Sequence, residues 1–118
     1  MKLRQKELND GVVLLEIEGN IIGGPDAISL NEEVHNLVNG GKRLFVLDMK
    51  SVEHINSSGL GILIASLNVV RQAGGDLRIA NVGSRVLDLL KITKLDQIFE
   101  VHKSVDEAVK NLNRVSQA

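Results

Sequence analysis

Two periods of apolar residues alternate along this chain, and the changes from one to the other lay out its elements. Lys2 to Leu8 and Val12 to Glu18 alternate or run apolar. Between them Asn9-Asp10-Gly11 suits a tight turn that needs positive φ, so the pair predicts an N-terminal β-hairpin. The segment 19–24 is glycine-rich, and Pro25 then stands where a first helical residue is favoured. A helix is predicted from about Pro25 to Asn39, with Ala27, Leu30, Val34, Leu37 and Val38 at spacings of three and four and Gly40-Gly41 ending it. Leu44-Phe45-Val46-Leu47 is a continuous apolar run, the pattern of a strand covered on both faces, and Asp48 is expected to close it.

Leu60, Ile62, Leu63, Ile64, Leu67, Val69 and Val70 then occupy most of a helical circumference, so the helix from about Ser58 to Gln72 is expected to be largely buried, with Gly74-Gly75 returning the chain. Leu77, Ile79 and Ala80 supply another strand, and Ser84 opens a short helix carrying Val86, Leu87, Leu89 and Leu90. Ile98 to Val101 reads as a short edge strand. Ser104-Val105-Asp106-Glu107 is a capping box for a last helix with Val105, Ala108, Val109 and Leu112 on its inner face. The expected fold is α/β, a mixed sheet of four to five strands with about four helices. The hairpin is antiparallel, and strands joined through helices run parallel with right-handed crossovers.

The 118 residues suit one domain, expected over 1–113 with a frayed tail at 114–118. A formal net charge of -1, with interspersed charges, speaks against a nucleic-acid partner. The absence of cysteine excludes disulfides and thiol chemistry within the chain. The first ten residues show no secretory apolar core, and no apolar run approaches membrane-spanning length, so a cytoplasmic protein with no membrane association is expected, a monomer or weak dimer. Phe45 and Phe99 are its only aromatic residues, which leaves no platform for stacking bases or sugars.

Chemistry concentrates where the buried strand meets the central helix, at Asn56-Ser57-Ser58-Gly59-Leu60-Gly61. Ser57 and Ser58 stand as candidate N-cap residues, facing backbone N–H groups without partners. Gly59 and Gly61 cost helix propensity, which calls for either tight packing against the sheet or the close approach of a partner. A serine hydrolase elbow and a dinucleotide fingerprint are both incomplete here, and His35, His54 and His102 lack metal-ligand spacing, so no catalytic residue, metal or cofactor is expected. Ligands of such sheets gather at the carboxyl ends of the strands, where 56–58 and 81–84 both fall.

Over Asp48 to Gly61 the sequence resembles the STAS domains, and more closely the single-domain anti-sigma-factor antagonists of bacterial partner-switching systems. Members carry a strand ending in Asp, a short linker, then Asp or Asn, Ser, Ser or Thr, Gly, an aliphatic residue and Gly. The resemblance implies a non-enzymatic binding protein. Ser57 would be phosphorylated by an anti-sigma-factor serine kinase and restored by a PP2C-type phosphatase, and the unphosphorylated form would hold the kinase. The implied contact surface is Asn20, Ile22, Gly24 and Asp26, then Asn56, Ser58, Gly59, Leu60 and Gly61, then Gly83 and Ser84. An unmodified scaffold subunit of a sensory or transport complex is the alternative.

Overall fold

The structure is a computed structural model describing residues 1–8 and 11–116, and the side chains of these residues other than 26, 27 and 114–116. Asn9 and Asp10 of the expected turn therefore lie outside the described residues, as does the side chain of Ala27 in the first helix. On either side of that turn, β1 (Lys2–Glu7) and β2 (Val12–Glu18) pair antiparallel, with Leu3 opposite Ile17 and Glu7 opposite Val13. Next come α1 (Pro25–Asn39), β3 (Leu44–Ser51), α2 (Ser57–Gln72), β4 (Asp76–Ala80) and α3 (Ser84–Ile92). A 3-10 turn at Leu95–Gln97, β5 (Glu100–His102) and α4 (Val105–Ser116) follow.

The five strands lie side by side in chain order, and β2 to β5 are mutually parallel. The mixed sheet follows from its connections: a hairpin reverses direction, whereas each helical crossover brings the next strand back in the same sense. Two boundaries differ from the sequence reading. β3 continues past Asp48 to Ser51, because Ser51 still pairs with Glu18 across an irregularity in β2. β5 begins at Glu100 rather than Ile98, since its ladder starts opposite Arg78; Phe99 is 2% exposed and serves the core from the turn before the strand.

Alternation along the strands splits the interior in two. Val13, Leu15, Ile17, Phe45, Leu47, Met49, Leu77 and Ile79 point to one face, where they meet Leu30 and Val34 of α1, Leu63, Leu67 and Val70 of α2, and Val86 and Leu90 of α3. The intervening residues Val12, Leu14, Val46 and Ala80 point to the other face and meet Ala108 and Leu112 of α4. Each fully buried aliphatic side chain is worth roughly 1.5–3 kcal/mol relative to exposure, so the larger face fixes the position of α2. α2 packs on β4 and along α1 with Leu60, Leu63, Ser66, Leu67 and Val70 inward, which leaves Ser57, Ser58, Gly61, Asn68 and Arg71 exposed. Ser66, buried in this face, donates its hydroxyl to the Ile62 carbonyl at 3.0 Å. At α4 the Ser104 hydroxyl accepts from the Glu107 N–H at 3.1 Å. The Glu107 carboxylate, expected to return that bond, lies 3.5 Å from His102 Nδ1 instead. Among the described residues, no helix is long and apolar enough to cross a membrane.

Candidate functional site

Beyond the ends of β2 and β3 the chain forms two loops that zip together. The Gly19 N–H donates to the Ser51 carbonyl at 3.2 Å, the Ile21 N–H to the His54 carbonyl at 3.0 Å, and the Asn56 N–H to the Ile21 carbonyl at 3.3 Å. Ile21 and Ile55, opposite each other in a single parallel bridge, are both buried and anchor the loops to the core. The Asn20 side chain adds a further tie, its Oδ1 accepting from the His54 N–H at 3.1 Å. The start of α2 therefore sits on a hydrogen-bonded platform rather than on a free loop.

Asn56 caps α2, correcting the expectation that Ser57 or Ser58 would do so. Its extended backbone (φ -96°, ψ 178°) leads into the helix, and its Oδ1 accepts from the Gly59 N–H at 2.8 Å. The same oxygen accepts from the Gly23 N–H at 3.2 Å, so one side chain closes the helix end and pins the 20–24 loop. This second partner is what selects Asn56 over its two serine neighbours. Ser57 becomes the first helical residue, and its exposed hydroxyl makes no hydrogen bond among the described residues. The Leu60 N–H goes to the Asn56 carbonyl at 2.9 Å, which leaves the Ser57 and Ser58 N–H groups facing outward without intrahelical partners. Ser58 lies against Gly23, where a Cβ would overlap the serine side chain.

The next three residues divide between inside and outside. Gly59 is buried, and a Cβ there would overlap the Ile21 carbonyl. Leu60 is 7% exposed and packs in the larger core. These two support the surface from beneath. Gly61 is exposed with nothing within 4 Å of where a Cβ would stand, one helical turn from Ser57 on the same side. Across the zipped loops Ile22 is 51% exposed, an unusual fraction for an isoleucine beside a well-formed core, and Gly24 begins α1. Asp26 is the second residue of α1, with its side chain outside the described set.

Asn20, Ile22, Gly24, Asn56, Ser57, Ser58 and Gly61 are thus brought into one neighbourhood. Gly83 and Ser84, both exposed at the start of α3, share their surface with Lys50, Val52, Glu53 and Arg85. Sequence reasoning missed the contact that continues this surface. Arg85 Nη1 donates to the His54 imidazole, 3.1 Å from Nε2 and 3.4 Å from Nδ1. A usable signal was present, because an arginine at the second position of a helix opposes the helix dipole and suggests a role other than stability. Asp48, expected as a strand-end cap, accepts from the Lys50 N–H and the Asn81 side-chain amide, both at 3.1 Å.

A hairpin thus leads into a parallel sheet, and an exposed serine starts the central helix. The STAS domain family model matches residues 4–108, and the chain belongs to that family. Among named relatives, the anti-sigma-B factor antagonist of Bacillus subtilis (strain 168) is 32% identical over 89 residues, covering 73% of this chain and 81% of that protein. An anti-sigma factor antagonist from Mycobacterium paratuberculosis superposes with a TM-score of 0.80 at 23% identity, covering 95% of this chain and 93% of that one. The Bacillus cell fate determinant SpoIIAA in its phosphorylated form gives 0.72 at 11% identity, covering 93% and 98%. The last two likenesses, both under a quarter identical, speak to the fold.

Proposed function

We propose that this protein is an anti-sigma-factor antagonist working as a phosphorylation-controlled partner switch. In its unphosphorylated form it binds an anti-sigma-factor serine kinase, phosphorylation of Ser57 releases it, and a PP2C-type phosphatase returns it to the binding form. The observation that carries this reading is the free Ser57 hydroxyl. Capping is done by Asn56, so the Ser57 hydroxyl, exposed and without a hydrogen bond among the described residues, stands open to an enzyme. The relatives named as anti-sigma factor antagonists support the class of partner.

Physical chemistry supports a switch at the surface rather than in the fold. A phosphate would add about -1.5 to -2 charges at neutral pH. At the first residue of α2 it meets two outward N–H groups and the positive end of the helix dipole, which favours an anion by roughly 0.3–1 kcal/mol. A partner docked on the same spot instead faces a desolvated dianion, a mismatch costing several kcal/mol. Since about 1.4 kcal/mol is tenfold in affinity, a penalty of about 4 kcal/mol weakens binding roughly a thousandfold. Asn56 is a neutral cap and adds no negative charge beside the phosphate. The test is incubation with the purified anti-sigma-factor serine kinase and ATP, followed by intact mass. A gain of one phosphate that persists in Ser58→Ala and disappears in Ser57→Ala is expected. No gain on the wild-type chain with a kinase that phosphorylates its own antagonist would overturn the reading in favour of an unmodified scaffold.

A further inference from the structure

Asn56, Ser57 and Ser58 follow one another at the start of α2 and all belong to the residue types that cap helices best, yet Asn56 alone does so. A capping serine turns its hydroxyl oxygen toward the helix to accept a backbone N–H. Capping and modification therefore compete for one atom. Ser57 stays available as a phosphate acceptor only while another residue holds the cap.

Two ties give that place to Asn56. Its Oδ1 accepts from the Gly59 N–H at 2.8 Å and from the Gly23 N–H at 3.2 Å, so the capping oxygen is shared between α2 and the 20–24 loop. Its own N–H donates to the Ile21 carbonyl at 3.3 Å, and that carbonyl occupies the space a Cβ at Gly59 would need. Backbone and side chain of Asn56 are thus bound to the same loop. Neither serine hydroxyl makes a hydrogen bond among the described residues. The start of α3 offers a comparison. Gly83 caps it without a side chain, and Ser84, the first helical residue, is likewise exposed with no hydrogen bond among the described residues. Glycine is tolerated at a bare cap position, so the serine after it is not drawn in. Alanine ranks far below glycine there, which makes Asn56→Ala the substitution that calls the next hydroxyl into the cap.

Deepening the partner-switch reading, on which it rests, we propose that Asn56 is the positioning residue for phosphorylation of Ser57. It acts through Ser57: by holding the cap with an oxygen shared with the 20–24 loop, it fixes the helix start and keeps the Ser57 hydroxyl out of the capping bond. Without it the helix starts one residue later. Ser57 then becomes the cap, and its Oγ accepts from the Leu60 N–H, which the Asn56 carbonyl otherwise holds at 2.9 Å.

Thermal melting of the full chain tests the cap, and phosphorylation by the purified anti-sigma-factor serine kinase tests its consequence. Ser57→Ala should leave the melting temperature of the wild-type chain nearly unchanged but lower that of Asn56→Ala by about 3–5 °C, whereas Ser58→Ala should lower neither. With the kinase and ATP, at a temperature where every variant is folded, Asn56→Ala should show kcat/KM for Ser57 at least fivefold below wild type. Asn56→Asp, whose carboxylate also caps, should restore it to within twofold. Val46→Ala, a buried change on the α4 face, should lower melting without lowering kcat/KM. A Ser57→Ala effect on melting that is the same in both backgrounds overturns the proposal, as does an Asn56→Ala chain phosphorylated at the wild-type rate or an Asn56→Asp chain as poor as Asn56→Ala. A wild-type chain that gains no phosphate overturns the parent reading and this role with it, so the two failures are told apart.

Discussion

Gly59 and Gly61 sit two residues apart near the start of one helix, have the same intrinsic cost, and stand in opposite surroundings. The first is held by the interior. Its missing Cβ makes room for the Ile21 carbonyl, so the 20–24 loop can approach α2 closely enough for Asn56 to bond both. The second faces open space, with nothing among the described residues within 4 Å of where its Cβ would stand. The start of the helix thus has a side packed on the 20–24 loop and a side open to solvent, and Ser57 lies on the open side.

Gly59→Ala should break the inner side. Backbone must move to admit the new methyl group, and overpacking of this kind costs typically 1–3 kcal/mol, here toward about 3 because the obstacle is a carbonyl rather than a flexible side chain. Urea denaturation should register it as a lower midpoint with an unchanged slope. Asn56→Ala removes a cap and one loop tie together and should cost about 2 kcal/mol by the same measurement, with amide exchange accelerating at Gly23 and Gly59. Gly61→Ala sharpens the contrast because its sign is reversed. A helical alanine in open space should stabilise the chain by about 0.5–1 kcal/mol while impairing kinase binding, visible as a raised melting temperature beside a lower affinity. Ser57→Ala should move stability by less than about 0.5 kcal/mol, because an exposed hydroxyl without hydrogen bonds contributes little. A large loss would mean that the side chain serves the fold.

Much of this was legible from residue order. The apolar periods placed the four α-helices and the first four strands, since each face of the sheet is written into alternate residues of β2, β3 and β4, and the chain order dictated which strands run parallel. The cap was not legible, because Asn56, Ser57 and Ser58 are all good capping residues and local preference ranks them nearly equal. What decides among them is the Gly23 N–H, 33 residues away in sequence. The single Ile21–Ile55 bridge is likewise too short to leave a periodic trace. The start of β5 was misplaced because Ile98 and Phe99 are apolar for different reasons: one is 42% exposed on a turn and the other fills the core from it. The His54–Arg85 contact spans 31 residues, and only the awkward helix position of the arginine hinted at it.

The central claim is that modification acts on what docks at α2 and leaves the domain itself unaltered. It is tested most directly by preparing the Ser57-phosphorylated chain and measuring, on one sample, its affinity for the anti-sigma-factor kinase and its amide spectrum. The account predicts binding weakened roughly a thousandfold, with resonance shifts confined to 20–24 and 56–61. Shifts spreading through the length of α2 and into β3 and β4, or a phosphorylated chain that binds as tightly as the unmodified one, would contradict it.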